Sequence, residues 1–337
     1  MFKKALPVFM LAESPVHVGS GTELGLVDLP IQREKHTGFP KIESSGIKGC
    51  LREAFESPAV KEKLKSLIGN GSADNDRLEK LIEQVFGPEQ GDLHSGALGF
   101  TDGRLIAFPV KSMKGVFAWI TCPHVLERLR DELGLAGIKL PESPPKNTVT
   151  EQSGVIFDRD GEIRVVLEEY TFPVKKDASC SQLADWLAET MFKTGGGGGD
   201  LLAYWMEKMR NSLVVLTDDD FRDFVELSTE VVARTRIDAD TGTVASGALF
   251  YEEYLPQESI LYTLALAAPV YQKKDAKDAY FKQEGKDEAT LVLELFRRGV
   301  PEVIQIGGNA TIGKGLVRLS FPDREETMDC QAQSPDL

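Results

Sequence analysis

A lone carboxylate, Asp28, lies in a glycine-flanked segment between a predicted strand and a predicted helix. The helix carries Lys48 and Arg52 four residues apart, so both cations face the same side of it. A carboxylate can hold a metal ion or accept a proton, and a cationic helix start suits phosphate groups. The segment 14–55 therefore predicts a protein that holds an anionic strand and cuts it.

Each of these residues also has a structural interpretation. Asp28 could cap the amides of Leu29 or Ile31, as loop aspartates commonly do. His17, before the same loop, is a candidate general base or phosphate ligand, or else a strand-end histidine bonded to a backbone carbonyl. Lys48 could simply lie on a solvated helix face. The residues alone leave these alternatives open.

Two further segments suit contact with a nucleic acid. Gly307, Gly308 and Lys314 could bring backbone amides and a cation to a phosphate chain, although a hairpin turn needs such glycines too. Arg234 and Arg236 precede a predicted protruding loop, and arginine with aromatic side chains suits RNA. After this loop come three residues that we take as candidate support for catalysis: Glu252, Glu253 and Tyr254.

The predicted elements that position these residues alternate without regular βαβ order, which indicates an α+β fold. A strand covers 5–19, an irregular loop 20–44, and a helix capped by Ser44 or Ser45 runs to about Glu56. The remaining predicted elements are helices within 59–86, 124–133, 181–210, 217–228 and 288–299, a hairpin over 154–174 that turns at Asp160-Gly161, and strands within 96–121, 232–256, 258–269 and 303–321.

Bulk composition is that of a globular chain, with 42% hydrophobic and 27% charged residues. The formal net charge of −14 argues against nucleic-acid binding, but the acidic residues are concentrated in segments such as 218–220 and the tail. Four scattered cysteines without a C-x-x-C pair predict a reducing cytoplasm and argue against a zinc site. No apolar run approaches the roughly 20 residues that span a bilayer, so no membrane partner is expected.

Five ordered blocks of this sequence resemble the RAMP superfamily of CRISPR-associated RNA-binding proteins. Within that superfamily they are most similar to the backbone subunits of type III-B (Cmr) effector complexes. The blocks, which lie in family order along the whole chain, are SPVHVGSG at 14–21, VDLPIQREKHTGFPKI at 27–42, SSGIKGCLREAF at 44–55, TRIDADTGTVASGALFYEEYLP at 235–256 and IQIGGNATIGKGLVRL at 304–319.

The resemblance implies a modified ferredoxin-like, RRM-like palm with helical insertions and a β-hairpin thumb. On this basis one RNA-binding domain covers residues 1–325, and an acidic, disordered tail covers 326–337. The insertions are expected at about 59–95 and 180–230, and the thumb at about 236–256.

The resemblance also implies the function. Copies of the chain would wind along a CRISPR guide RNA, with other Cmr subunits, and cut complementary target RNA at regular intervals. Asp28 would be the catalytic residue and the ligand of a divalent metal, Mg²⁺ or Mn²⁺, bound only with RNA. The RNA contacts implied are His17, Lys48, Arg52, Arg234, Arg236, Gly307, Gly308 and Lys314. Two alternatives remain: a non-catalytic guide-binding scaffold of the same complex, and a metal-independent RAMP endonuclease that processes precursor guide RNA.

Overall fold

The computed structural model describes residues 2–22, 25–68, 75–89, 94–192, 199–238 and 240–322, and shows a mixed α+β fold. The helices in these ranges are α1 (Ser44–Glu56), α2 (Pro58–Leu67), α3 (Asn75–Phe86), α4 (Pro123–Leu135), α5 (Ala178–Phe192), α6 (Gly199–Ser212), α7 (Asp218–Leu227) and α8 (Glu288–Gly299). Short 3-10 turns lie at Lys274–Ala276, Ala279–Lys282 and Ala310–Ile312.

The strands in the same ranges are β1 (Lys4–Ala12), β2 (Lys41–Ile42), β3 (Leu98–Phe100), β4 (Gly103–Lys111), β5 (Phe117–Thr121), β6 (Thr148–Val149), β7 (Ile156–Arg159), β8 (Glu162–Leu167), β9 (Tyr170–Pro173), β10 (Lys175–Lys176), β11 (Leu213–Val215), β12 (Glu230–Ile237), β13 (Val244–Tyr254), β14 (Ile260–Ala267), β15 (Val303–Gln305) and β16 (Leu316–Ser320).

Most strands belong to one large mixed sheet. Its main path runs β10-β6-β11-β5-β4-β14-β1-β16-β15, with β2 paired to β4 and β3 to β14. The central pairs β4–β14, β14–β1 and β1–β16 are antiparallel. Strand β14 and most of β1 are buried, which accounts for their nearly continuous apolar sequences.

Successive strand residues point to opposite sides of the sheet, and helices cover both of its faces. On β1, Val8 and Met10 join one core cluster, which includes residues of α1, α2, α3 and α8. Phe9 and Leu11 join the other cluster, with residues of α4, α5 and α6. Helix α1 contributes Ile47, Leu51 and Phe55, which are spaced four residues apart and lie on one buried stripe.

Two smaller sheets lie outside the large one. Strands β7, β8 and β9 form an antiparallel sheet, and its first turn is at Asp160 and Gly161, as predicted, both with positive φ. Strands β12 and β13 form a hairpin in the place predicted for the thumb, with an irregular register between Thr235 and Ile237. We call β12, β13 and their connection the hairpin.

Several predicted boundaries need correction. The first strand ends at Ala12 instead of continuing to residue 19, and His17 lies in the loop that follows. Helix α1 begins at Ser44, its N-cap residue is Glu43, and the Ser44 amide donates to Asp102 Oδ1 at 3.0 Å, so the predicted serine cap is wrong. The second predicted insertion also contains β11, which pairs with β5 of the large sheet.

The predicted acidic tail, 326–337, lies outside the described residues. None of the helices in the described ranges is both long and apolar enough to cross a membrane.

Candidate functional site

The end of β13, residues 251–254, brings together three chain segments that are distant in sequence. The Asp28 loop pairs with its backbone through a parallel bridge between Leu29 and Glu252. The segment after β1 joins through Val16, whose backbone exchanges two hydrogen bonds of 2.9 Å with Leu255. The glycine loop before β16 joins through Asn309. Most of the residues singled out from the sequence therefore lie around one strand end.

Asp28 is anchored to the hairpin. Its backbone amide and that of Leu29 donate to the Tyr251 carbonyl at 3.1 and 3.0 Å. In return the Asp28 Oδ2 atom accepts the Tyr251 amide at 2.7 Å. The other oxygen, Oδ1, has no hydrogen-bond partner in the described part of the chain. Asp28 thus caps the backbone amide of Tyr251, and not that of Leu29 or Ile31. Its other carboxylate oxygen remains available for a ligand.

Glu252 is a buried carboxylate that is 5% exposed. Its Oε1 accepts Asn309 Nδ2 at 2.6 Å and faces His17 Nε2 at 3.6 Å. Its Oε2 accepts the Tyr254 hydroxyl at 2.5 Å and Arg234 Nε at 3.3 Å. Burial alone would raise the pKa of Glu252, but these hydrogen bonds and charges hold the pKa below its ordinary value. Glu252 is therefore an anion held in place on both oxygens.

Tyr254 is fully buried beneath three cationic or amide groups. Its hydroxyl accepts Arg234 Nη2 at 2.6 Å and Asn309 Nδ2 at 2.9 Å. Lys314 Nζ lies 4.9 Å from the centre of its ring, a distance that allows a cation–π contact. Burial and the bond to Glu252 raise the pKa of the hydroxyl, so Tyr254 stays protonated and donates.

His17 uses both ring nitrogens inside this cluster. Nδ1 lies 2.7 Å from the Glu253 carbonyl oxygen, which can only accept, so Nδ1 carries a hydrogen. Nε2 faces the Glu252 carboxylate. The whole residue is 9% exposed. The carbonyl contact matches the structural alternative for His17, and its predicted contact with RNA stays a prediction.

Glu253 points to the opposite side of β13 from Glu252 and has a different set of partners. Its Oε1 accepts Arg33 Nη2 at 2.5 Å and the Thr229 hydroxyl at 2.7 Å. Its Oε2 accepts the Ile31 amide at 2.9 Å. The carboxylate is buried and bonded on both oxygens, which suits it to holding the Asp28 loop against the hairpin.

The glycine loop packs directly on the backbone beside His17. Gly308 donates its amide to the His17 carbonyl at 2.9 Å, so this amide is already occupied. Gly307 has φ of 82°, and a Cβ there would lie 2.2 Å from the same carbonyl oxygen. Glycine at position 307 is therefore required for the close approach of the two backbones. The RNA contact predicted for Gly307 and Gly308 would use only the side of the loop that is exposed to solvent.

The two helix cations differ in their surroundings. Lys48 is half-buried, and the structure gives it no ion pair or hydrogen bond among the described residues. Burial, together with the charge of Arg52, lowers the pKa of its amine. Arg52 instead binds Glu56 Oε1 at 2.8 Å and the Gly87 carbonyl at 2.8 Å. Lys48 is thus the cation of this pair that lacks a counter-charge.

Arg236 lies apart from the cluster, exposed on β12 at the irregular step of the hairpin register. The sequence interpretation missed three residues that build the site: Arg33, Thr229 and Asn309. Asn309 lies inside a block quoted for the family resemblance, and its left-handed backbone, with φ of 66°, is one that asparagine tolerates. Arg33 also lies inside a quoted block, but no signal in the sequence pairs Arg33 or Thr229 with Glu253.

The described ranges contain no group of three or more His, Cys, Asp or Glu side chains that could hold a metal ion. Asp28 offers one unbonded carboxylate oxygen, whereas Glu252 and Glu253 are occupied. This donor set fits a magnesium or manganese ion only if water and substrate phosphates complete the ligands, which is common for Mg²⁺.

Residues 10–318 match the sequence profile of the RAMP superfamily. The chain is 37% identical over 328 residues to the CRISPR system Cmr endoribonuclease Cmr4 of Pyrococcus furiosus, covering 95% of this chain and 96% of that protein. It is 26% identical over 331 residues to the CRISPR system CMR subunit Cmr4 of Saccharolobus solfataricus, covering 94% and 96%.

Among solved structures, the oligomeric Cmr4 from Pyrococcus furiosus superposes with a TM-score of 0.65 at 29% sequence identity. The match covers 95% of this chain and 99% of that one, so the similarity extends over the whole fold.

Proposed function

The chain belongs to the RAMP superfamily, and from this premise we propose that it is the backbone subunit of a type III-B (Cmr) CRISPR effector complex. In this role it binds guide RNA, and it cleaves complementary target RNA at regular intervals. The proposal is supported by full-length similarity to a protein named an endoribonuclease. Its partners are guide RNA, target RNA, further copies of itself and other Cmr subunits, in the cytoplasm.

Three carboxylates at one strand end differ in their hydrogen bonds, and this difference supports the catalytic part of the proposal. Glu252 and Glu253 are buried and bonded on both oxygens. Asp28 is bonded through Oδ2 alone within the described residues. Of the three, Asp28 is therefore the group that can act on a bound RNA.

In the proposed reaction Asp28 acts at the ribose next to the scissile phosphate. Its Oδ1 accepts the proton of the 2′-hydroxyl, and the 2′-oxygen forms a bond to phosphorus as the bond to the 5′-oxygen breaks. The leaving 5′-oxygen takes a proton from solvent. The products are a 2′,3′-cyclic phosphate and a 5′-hydroxyl. A divalent ion held by Asp28 would stabilise the charge that develops on the phosphate.

We also propose that the centre of the molecule is a ferredoxin-like palm. Strands β1, β4, β14 and β16 with helices α1 and α8 follow the order βαββαβ along the chain. Their order in the sheet, β16-β1-β14-β4 with antiparallel neighbours, is the one that such a unit requires. The hairpin is then the thumb, and the exposed Arg236 lies on the part that would reach RNA.

Cleavage of target RNA by the reconstituted complex tests the catalytic assignment. Asp28→Asn keeps an oxygen that can accept the Tyr251 amide but removes the negative charge. Asp158→Asn makes the same change at an exposed carboxylate on β7, which likewise accepts one backbone amide, that of Gly161 at 3.1 Å, and is the matched control. We expect Asp28→Asn to slow cleavage by roughly 100-fold or more with unchanged target binding, and Asp158→Asn to match wild type.

Chelation tests the metal. EDTA should abolish the cuts, and Mg²⁺ or Mn²⁺ should restore them. One observation favours the scaffold alternative, namely that capping Tyr251 would by itself account for Asp28. Undiminished cleavage by Asp28→Asn would establish that alternative and move the search for the nuclease to the partner subunits. Cleavage that persists in EDTA would remove the metal from the mechanism.

A further inference from the structure

The segment that follows Asp28 lies along the hairpin as a short extra strand. The Leu29 amide donates to the Tyr251 carbonyl at 3.0 Å, and the Leu29 carbonyl accepts the Glu253 amide at 3.0 Å. On its other side, Ile31 forms a bridge with Gly19. The position of Asp28 is therefore tied to the hairpin backbone, and whatever anchors this segment decides where the carboxylate lies.

Arg33 anchors the segment to the hairpin and to α7. One guanidinium nitrogen, Nη2, lies 2.5 Å from Glu253 Oε1 on β13. The other, Nη1, donates to the Val225 carbonyl in the last turn of α7 at 2.9 Å, and to the Gly38 carbonyl at 2.8 Å. Because Glu253 also accepts the Ile31 amide, this ion pair fixes the backbone three residues after Asp28.

Glu34 anchors the same segment on the opposite side. It is buried, at 8% exposure, and both of its oxygens accept Arg128 Nη1 of α4, at 2.7 and 2.9 Å. The Thr37 hydroxyl donates to it at 2.7 Å, and Arg104 of β4 lies 3.9 Å away. Burial by itself would raise the pKa of Glu34, but these donors and cations lower the pKa overall, so the group is an anion.

We propose that Arg33 and Glu34 form a two-sided clamp, in which Arg33 binds the hairpin and α7 while Glu34 binds α4 and β4, and which positions Asp28 for RNA cleavage. The two residues are adjacent in sequence, so their side chains reach opposite sides of one extended segment. Both are positioning residues that act through the loop backbone. The cleavage part of this inference rests on the proposed catalytic role of Asp28.

The arrangement has a mechanical consequence. Asp28 moves with β13, because its carboxylate and its amide are both bonded to Tyr251. Glu34 is bonded to helix α4 and strand β4, which pack in the body of the molecule. A displacement of the hairpin by RNA would therefore move one anchor point of the loop, Glu253, relative to the other, Arg128. Loosening either point lets Asp28 depart from its position without removing any group that contacts RNA.

The test uses Arg33→Gln, Glu34→Gln and a matched control, Arg318→Gln, in the reconstituted complex. Arg318 is similar in exposure to Arg33, 24% against 22% for the side chains, and pairs with Glu13 and Glu302 away from the Asp28 loop. We expect the single-turnover cleavage rate to fall about 10- to 100-fold in both clamp variants, because misplacement by about 1 Å costs rates of that order. Target affinity should stay within about twofold of wild type.

Amide hydrogen exchange supplies a readout that does not depend on cleavage. The Leu29 and Ile31 amides should exchange at least about tenfold faster in Arg33→Gln than in Arg318→Gln, because local opening governs their protection. Arg33→Lys keeps the charge that faces Glu253 but not the fork that reaches two carbonyls, so its cleavage rate and exchange should be intermediate. Arg33→Lys also serves if Arg33→Gln does not fold.

The outcomes separate the clamp from the catalytic assignment. Cleavage lost in Asp28→Asn but unchanged in both clamp variants would overturn the clamp and leave the proposed function standing. Cleavage retained in Asp28→Asn would overturn the catalytic role, and the amide exchange would then decide whether the clamp holds the loop. Exchange in Arg33→Gln equal to that in Arg318→Gln would overturn the clamp outright.

Discussion

Removing the buried hydroxyl of Tyr254 should destabilise the protein in a pH-dependent way. Tyr254→Phe deletes a donor to Glu252 Oε2 at 2.5 Å and an acceptor for Arg234 and Asn309 at 2.6 and 2.9 Å. Hydrogen bonds to charged groups contribute about 1.5–3 kcal/mol each, but Glu252 keeps its other partners. We therefore expect a loss of about 2–3 kcal/mol in the free energy of unfolding.

Thermal unfolding measures this loss. An unfolding entropy of about 2.1 cal/mol/K per residue over 337 residues gives roughly 0.7 kcal/mol/K, so the Tm should fall by about 3–4 °C. Tyr280→Phe is the matched control, because the Tyr280 side chain is largely buried and its hydroxyl makes no hydrogen bond in the described ranges. Its Tm should stay within about 1 °C of wild type.

The pH dependence follows from the lowered pKa of Glu252 in the folded protein. A carboxyl whose pKa is lower when folded contributes stability above its unfolded pKa, about 4.3, and loses it as the pH falls toward the folded pKa. The Tm difference between wild type and Tyr254→Phe should be full at pH 7 and shrink below about pH 4.5. A Tyr254→Phe protein that matches Tyr280→Phe at pH 7 would refute the proposed network.

Two further predictions concern the loop around Asn309, and a third concerns helix α1. Asn309→Asp places a second carboxylate where Nδ2 now donates to Glu252 at 2.6 Å. The free energy of unfolding should therefore fall by about 2 kcal/mol or more at pH 7, and by less at pH 5. Thermal unfolding at both pH values measures the difference. Gly307→Ala should lower the free energy of unfolding by more than Gly313→Ala, for which we expect a loss of about 1 kcal/mol. Both glycines have positive φ, but of the two only Gly307 would place a Cβ against a backbone oxygen, at 2.2 Å. Equal melting temperatures of the two variants would contradict this. Lys48→Met should leave the Tm of the isolated chain unchanged or raise it, and should weaken guide-RNA binding about tenfold in a filter-binding assay. Arg52→Met should instead lower the Tm, because its bonds to Glu56 and Gly87 are lost.

Elements with strong periodicity were predictable from the sequence. Helix α1 follows from the spacing of Ile47, Leu51 and Phe55, and the turn at Asp160-Gly161 from its residue types. The end of β1 was predicted too far along the chain, because residues 13–19 continue an extended backbone that makes only isolated bridges. The cap of α1 was predicted wrongly from the serines, because the side chain that accepts the Ser44 amide is Asp102, 58 residues further along the chain.

The site was predictable as a set of residues but not as a set of roles. The acidic pair, Glu252 and Glu253, looks alike in sequence, yet strand alternation sends the two side chains to different partners. The partners Arg33 and Asn309 are 220 and 57 residues away along the chain. Pairing at such separations depends on how the loops fold over the hairpin, which no local pattern in the sequence encodes.

The net charge of −14 is compatible with RNA binding because the acids at the site are neutralised internally. Glu252 faces Arg234 at 3.3 Å, and Glu253 faces Arg33 at 2.5 Å. Such buried anions add little long-range repulsion when a cation lies within hydrogen-bond distance. In contrast, Lys48 is half-buried without a counter-charge in the described residues, and a phosphate would relieve the cost of burying its amine.

Acidic residues are also concentrated in the first turn of α7, where the Asp219 carboxylate pairs with Arg222 at 3.2 Å. At the end of β13, Lys314 lies over the ring of Tyr254, and Asp28 keeps one carboxylate oxygen without a hydrogen bond among the described residues. Under the proposed function, Lys314 would bind the phosphate chain and Asp28 would accept the proton of the 2′-hydroxyl.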